Sequence, residues 1–321
     1  VEFIEHHRQG PFYLHYCTTL LHGPNGSWYK SLDKPRVTGE GIIDADLNVL
    51  PPRDSVMKRI EQAGLTSNQA GYLWMDDSLG LILNKLDELK LAHNTIVLFV
   101  ADHGSGHKGS LYKAKGTEVP CIMRWPAGMK AGVRSEELIQ NTDFVPTWFE
   151  LSGVKKPAAY RMDGVSLAPL FQAPHEPVRE YVYGEIGAAR SIKTKTHSYI
   201  ALRYTREQVA GVQERQRREL KSLTGLSGGV SRSIATHPHA YTGDQLYDLK
   251  RDPDAQKNLA DQKHHAETLT QMKQKLAAEL KRFPARPYGE FVPGGNALAV
   301  GGYDKVFETL RQAAVDKKPK K

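Results

Sequence analysis

Cysteine is nearly absent from the 321-residue sequence, which contains only Cys17 and Cys121. Two thiols cannot form the set of disulfides that stabilises small secreted domains, and we expect both to be reduced. Long apolar runs are also missing, since none approaches the roughly 18 residues that a membrane helix needs. No charged segment followed by an apolar one opens the sequence, so it holds no recognisable secretion signal. We expect neither a disulfide scaffold nor a membrane partner.

Positive charge is in excess, with 44 Lys and Arg residues against 36 Asp and Glu residues and a formal net charge of +8. Much of the excess is local, in a cluster between Arg215 and Lys221 and in four of the last five residues, which are lysines. Such runs are usually solvated surface, so we expect no nucleic-acid partner. The hydrophobic share of 40% is ordinary for a globular protein, and the length suffices for one large or two modest domains.

An apolar segment followed by polar residues is the strongest candidate for a functional site in the sequence. Residues 96 to 101 are all apolar without alternation, which is typical of a central strand covered on both faces. Asp102 and His103 follow directly. Ligands of open α/β sheets bind outside the carboxyl ends of strands, and a carboxylate beside an imidazole suits a divalent metal. Taken alone, the pair fits a simple turn capped by Asp102 equally well.

Local patterns predict further elements in the first half. Residues 11–17 alternate in a way that indicates a strand. A helix is predicted from Ser67, as its N-cap, to about Leu91, with Tyr72 on its apolar face. Asp76 and Asp77 lie on this helix, but adjacent helical residues diverge by about 100°, so the two carboxylates cannot share one reacting centre. We expect them to be structural.

The residue pattern in the second half of the sequence predicts a smaller α+β unit. A helix capped around Asn141 is expected to end at Gly153, and a loose, proline-containing stretch near residue 175 indicates a domain boundary. Residues 205–238 read as an insertion. The predicted strands span residues 180–183, 189–193, 199–204 and 245–249, and the predicted helix spans residues 264–282.

Several short motifs occur in a fixed order along the chain. They are His22-Gly23-Pro24, Asp102-His103-Gly104, Lys108-Gly109-Ser110-Leu111-Tyr112, Val119-Pro120, Asn141-Thr142-Asp143 and Leu246-Tyr247-Asp248-Leu249. Together they resemble the carboxyl-terminal portion of a type I, formylglycine-dependent sulfatase, a family of the alkaline phosphatase superfamily. The resemblance runs from about Phe3 to about Phe283.

The resemblance implies an α/β fold, in which helices surround a mostly parallel sheet as in alkaline phosphatase, plus a small C-terminal α+β subdomain with an antiparallel sheet. Residues 1–175 would form the C-terminal part of the catalytic domain and residues 176–290 the subdomain. Residues 291–321 would form an extension with a basic tail. A periplasmic, secreted or lysosomal location is the family's usual one.

The resemblance also implies roles for individual residues. Asp102 and His103 would bind Ca²⁺ or Mg²⁺. Lys108 would bind the sulfate and balance the charge that develops on it, although Lys113 and Lys115 are competing candidates because the spacing after Lys108 is one residue longer than usual. Two histidines complete the implied set, His22 as the proton donor to the leaving group and His239 as a weaker candidate for substrate contact.

One departure concerns the nucleophile. The family's formylglycine forms from a Cys or Ser that is followed by Pro and Arg at fixed spacing, and neither Cys17 nor Cys121 has these neighbours. The family's two early metal-binding aspartates have no counterpart either. We therefore expect the nucleophile to lie outside this chain, which we interpret as a fragment that is inactive by itself.

The sequence thus predicts a sulfatase-like hydrolase that cleaves aryl or carbohydrate sulfate esters, with a sulfated small molecule or sulfated carbohydrate as its partner. Two alternatives stay open. A phosphodiesterase or phosphonate hydrolase of the same superfamily would need similar charge stabilisation. A noncatalytic sulfated-glycan-binding protein could have kept the fold. The sequence does not predict the oligomeric state.

Overall fold

The computed structural model describes residues 1–18, 20, 36–38, 41–42, 49–103, 111–112, 116–205, 237, 239, 242–283, 286, 288–292 and 297–299. The chain divides into two compact units. One comprises Val1–Val97 and Met123–Ala131, and the other comprises Leu98–Ile122 and Gly132–Lys321. The domain boundary near residue 175 stays a prediction.

The first unit is mainly helical. Its helices are α1 (Glu2–His7), α2 (Arg53–Gln62) and α3 (Ala70–Glu88), and a short antiparallel pair is formed by β1 (Val37–Thr38) and β2 (Gly41–Ile42). Two small clusters of buried side chains hold the helices, because each helix has one apolar face. The first cluster consists of Val56, Ile60, Ala70 and Trp74, and the second of Ile4, Leu86 and Ala92.

Helix α3 confirms the predicted helix, with two corrections at its start. Thr66, not Ser67, caps the 3-10 turn before α3, because its side chain and that of Gln69 bond reciprocally to the backbone. Tyr72 is 56% exposed and therefore does not belong to the apolar face. Asp77 accepts two hydrogen bonds from the Arg59 guanidinium, at 2.8 and 2.6 Å, which agrees with a structural role.

The predicted strand over residues 11–17 is wrong. These residues have no regular secondary structure, and Tyr13 is 72% exposed. Alternation alone does not make a strand, since a strand also needs a neighbour to accept and donate its backbone hydrogen bonds. Phe12 nevertheless packs beside the Ile4 cluster.

Strands β3 (Val97–Val100) and β4 (Cys121–Arg124) form a two-stranded sheet. Within the described residues β3 has β4 as its only strand neighbour. Its first three side chains are half-buried, and Val100 is 37% exposed. The expectation of a strand covered on both faces is therefore wrong for this part of the structure. Both cysteines are free, as expected.

In the second unit, α4 (Phe144–Ser152) and α5 (Ala168–Gln172) precede the main sheet. Helix α4 ends as predicted at Gly153, whose φ of 69° is left-handed. The buried carboxylate of Asp143 begins this helix and accepts hydrogen bonds from the backbone N–H of Gln140 and Val165 and from Arg179. It thereby fixes the loop before α5 against the start of α4.

The main sheet is antiparallel and follows the order β5 (Val182–Ile186), β6 (Ala189–Lys193), β7 (His197–Thr205) and β8 (Asp244–Asp248), while β9 (Ala297–Ala299) also pairs with β7. Helix α6 (Ala266–Leu280) follows. The predicted strands and helix of this subdomain are therefore confirmed to within a few residues.

Helix α6 covers one face of the sheet. Its Met272, Leu276 and Leu280 belong to one buried cluster with Ile192, Tyr199, Ala201 and Leu246 of the strands. Because side chains alternate along a strand, Ser191, Ile200, Gln245 and Tyr247 project from the other face, where they are buried as well. The sheet is thus covered on both sides.

A buried arginine ties β7 to β8 and to the turn at residues 288–292. Every N–H of the Arg203 guanidinium has an acceptor: the two oxygens of Glu290 at 2.9 and 2.6 Å, Asp244 at 2.8 Å, and the carbonyls of Leu202 and Gly243 at 2.9 and 2.6 Å. A buried guanidinium is tolerated only when its charge and donors are satisfied in this way. The network therefore fixes the register at the end of β7.

This network predicts a pH dependence of stability. The hydrogen bond from Arg203 holds the pKa of Glu290 below its ordinary value. The carboxylate therefore stabilises the fold fully above that ordinary value, and its contribution is lost as the pH falls below it. We expect Glu290→Gln to lower the melting temperature at neutral pH, with the difference from wild type shrinking between roughly pH 5 and pH 3.

The exposed Glu176 provides the matched control, because Glu176→Gln removes the same charge from the surface. Its melting temperature should follow that of wild type at every pH. Equal pH profiles for the two variants in scanning calorimetry would refute the role assigned to Glu290.

Candidate active site

Asp102 and His103 lie in the second unit, directly after β3, where the sequence predicted a site. Nε2 of His103 lies 3.5 Å from Oδ2 of Asp102. The Asp102 side chain is 85% exposed and the His103 side chain is 27% exposed. The carboxylate is therefore accessible, and the imidazole is held beside it.

The 3.5 Å contact brings a carboxylate oxygen and an imidazole nitrogen together, so both could ligate one cation. The donor set is mixed, since a carboxylate suits Ca²⁺ and Mg²⁺ whereas imidazole is also a ligand of softer metals. Among the described residues no group of three or more His, Cys, Asp and Glu side chains could hold a metal ion. Asp102 and His103 thus fit as part of a metal site.

Of the other predicted site residues, the structure describes only His239. His22, Lys108, Lys113 and Lys115 lie outside the described residues, and so do the insertion up to residue 236 and the basic tail. His239 lies in a turn before β8, and its carbonyl accepts a hydrogen bond from the N–H of Thr242 at 2.9 Å. The roles of these residues stay predictions.

The sequence did not predict that Tyr112 is buried and hydrogen-bonded inside the second unit. Tyr112 is only 4% exposed, its hydroxyl donates to Oε1 of Gln245 at 2.6 Å, and its ring stacks on His237 with centroids 4.0 Å apart. Leu111 beside it is buried too. An adjacent pair of large apolar residues in an otherwise polar loop was the available signal, since such a pair favours an anchored segment.

A groove of about 620 Å³ between the start of β5, the β6–β7 turn and α6 is lined by Arg179, Lys195 and Lys275 among others. Each of these cations already has a carboxylate partner. Lys195 pairs with Glu137 at 2.7 Å, and Arg179 and Lys275 pair with Asp143 and Glu180 respectively. The groove therefore lacks the surplus positive charge that an anionic ligand would need, and Asp102 and His103 remain the candidate site.

Two family models match overlapping parts of the chain. The model of the sulfatase family matches residues 1–154, and a model described as "N-sulphoglucosamine sulphohydrolase, C-terminal" matches residues 101–210. Over residues 1–210 the chain therefore resembles the sulfatase family. Both matches include Asp102 and His103. Among the described helices, none is both long and apolar enough to cross a membrane.

Two curated relatives illustrate the similarity. An ulvan-active sulfatase of Formosa agariphila is 35% identical over 189 residues, which are 55% of this chain and 35% of the relative. The human steryl-sulfatase is 34% identical over 140 residues, which are 36% of this chain and 24% of the relative. The chain thus spans about a third or less of the length of these relatives.

A solved structure confirms the predicted fold. A protein in complex with its substrate D-glucosamine-2-N,6-O-disulfate aligns with a TM-score of 0.51 at 22% identity, and the alignment covers 70% of this chain and 42% of that chain. At this identity the likeness concerns the fold alone. The predicted α/β fold, with its antiparallel C-terminal sheet, is therefore shared with that structure.

Proposed function

We propose that the complete protein is a sulfuric ester hydrolase that acts on sulfated carbohydrates or aryl sulfates. The observation that carries the proposal is the position of Asp102 and His103, side by side at the end of β3 in a chain that resembles the sulfatase family. Carbohydrate sulfate esters are the favoured substrates. The relative whose alignment covers 55% of this chain is an ulvan-active sulfatase, and the aligned solved structure holds a sulfated amino sugar.

In this function Asp102 and His103 hold a divalent cation, Ca²⁺ or Mg²⁺. When bound, such a cation polarises the sulfate oxygens and lowers the cost of the charge that develops on them. The accessible Asp102 carboxylate supplies the anionic ligand, and the neighbouring His103 ring supplies a neutral donor held in place beside it.

Three further side chains have proposed roles around the ester. Lys108, or Lys113 or Lys115 in its place, provides an ammonium that balances negative charge on the nonbridging oxygens. His22 donates a proton to the departing alkoxide, and His239 contacts the substrate. The nucleophile is a formylglycine that these 321 residues do not contain. Such an enzyme acts in the periplasm, in a lysosome or outside the cell.

The function predicts a strong effect of Asp102→Asn in the protein encoded by the complete gene. Removal of the anionic metal ligand should lower kcat/KM by about 100-fold or more, since even outer-shell changes at metal sites cost 10–100-fold. The measurement is sulfate release from a chromogenic aryl sulfate and from glucosamine 6-O-sulfate. Asp254→Asn, which neutralises an exposed carboxylate of the same unit, should leave the rates unchanged.

Equal activity of the Asp102→Asn and Asp254→Asn proteins would contradict the metal-binding role. Wild-type protein that cleaves a phosphodiester or phosphonate but no sulfate ester would replace the proposed reaction with phosphoryl chemistry. Wild-type protein that binds sulfated glycans without turnover would instead support a noncatalytic binding protein.

Metal removal provides a separate prediction. Wild-type protein treated with a chelator should lose its sulfate-ester hydrolysis, and added Ca²⁺ or Mg²⁺ should restore it, because the ligands remain in place. The Asp102→Asn protein should need a higher metal concentration for half-maximal recovery, whereas the Asp254→Asn protein should recover as wild type does. Full activity of the metal-free protein would exclude a catalytic cation.

A further inference from the structure

The buried amide of Gln245 is shared by two tyrosines. Its Oε1 accepts hydrogen bonds from the hydroxyls of Tyr112 at 2.6 Å and Tyr247 at 2.8 Å, and its Nε2 donates to the carbonyl of Thr242 at 3.0 Å. The two lone pairs of the amide oxygen are thereby used, and the Gln245 side chain is fully buried. A hydroxyl that lost its partner here could not be satisfied by bulk water, so both bonds are costly to break.

Tyr112 and Tyr247 reach this amide from different parts of the chain. Tyr247 lies two residues after Gln245 on the same strand, whereas Tyr112 is separated from Gln245 by 133 residues. Only the Tyr112 bond is a tertiary contact between the sheet and the segment that follows β3. The stacked ring of His237 adds a second contact to the same tyrosine.

Leu111 docks on the same face of the sheet. A Cβ placed on Gly184 of β5 would lie 3.1 Å from Cδ2 of Leu111, which is tighter than an ordinary contact. Ser191 of β6 borders the same point, since its hydroxyl donates to the carbonyl of Gly184 at 3.3 Å. Residues 111 and 112 are therefore fixed together to the sheet face opposite α6.

Tyr112 follows the proposed metal ligands closely along the chain. Asp102 and His103 lie at the end of β3, and Tyr112 lies ten and nine positions after them. Without the Tyr112 contact, the next regular element among the described residues is β4 at Cys121. A longer tether leaves more conformations open, and a misplacement of about 1 Å can cost about 100-fold in rate.

We propose that Tyr112, bonded to Gln245, is a positioning residue for Asp102 and His103, because it fixes the chain to the sheet shortly after them. The catalytic half of this inference rests on the proposed sulfatase function. The anchoring half concerns the fold and can be measured without substrate.

The test compares Tyr112→Phe with Tyr247→Phe in the protein encoded by the complete gene. Each substitution removes one buried hydroxyl that donates to the same Gln245 oxygen, so both should lower the melting temperature by similar amounts. Only Tyr112→Phe should lower kcat for sulfate-ester hydrolysis, by roughly tenfold, with kcat/KM falling in parallel because the loop acts in the transition state. Tyr247→Phe should keep the wild-type kcat.

Hydrogen exchange measured by mass spectrometry tests the anchor directly. Peptides from residues 101–118 should exchange faster in Tyr112→Phe than in wild type, and at the wild-type rate in Tyr247→Phe. Unchanged exchange in Tyr112→Phe would overturn the anchor. Faster exchange with an unchanged kcat would overturn the positioning role. Wild-type protein without sulfatase activity would overturn the proposed function and the catalytic half, while the exchange rates would still decide the anchor.

Discussion

Two adjacent residues at the start of β8 satisfy the buried polar groups on which the second unit depends. Asp244 pairs with Arg203 and Lys273 and accepts the hydroxyl of Tyr199, all on the face covered by α6. Gln245 projects from the opposite face and accepts Tyr112 and Tyr247. Buried polar groups are tolerated only when they are paired, so both faces constrain the register of one strand. A slip of one residue would exchange the carboxylate and the amide and leave a guanidinium and two hydroxyls without their acceptors.

This constraint connects the stability of the sheet to the geometry of the candidate site. Asp102 and His103 follow β3, and Tyr112, nine positions after His103, bonds to Gln245 of β8. In the proposed positioning role of Tyr112, the two residues depend on a sheet that contributes none of the predicted metal ligands. Such a division is physically reasonable, because a loop positions reacting groups well only when a rigid element holds it.

The sequence predicted the antiparallel sheet, α6 and the end of α4 well, because these features follow from local signals: alternating side chains, an amphipathic stretch and a left-handed Gly153. It also predicted where Asp102 and His103 lie, since polar residues after an apolar strand mark its carboxyl end. The sequence did not predict features that depend on a partner far away in the chain. Residues 11–17 alternate but have no strand partner, and the anchor of Tyr112 depends on a residue 133 positions away.

The proposed cation site needs more ligands than Asp102 and His103 provide. Ca²⁺ needs six to eight oxygen ligands and Mg²⁺ six, whereas Asp102 and His103 offer one carboxylate and one imidazole. Two ligands on a freely moving loop would lose much of their binding energy to the entropy of ordering it. Under the proposed role, tethering at Tyr112 would remove part of that entropy before a cation bound, so a site with few ligands from this chain would gain more from the anchor than a site that is complete within one strand.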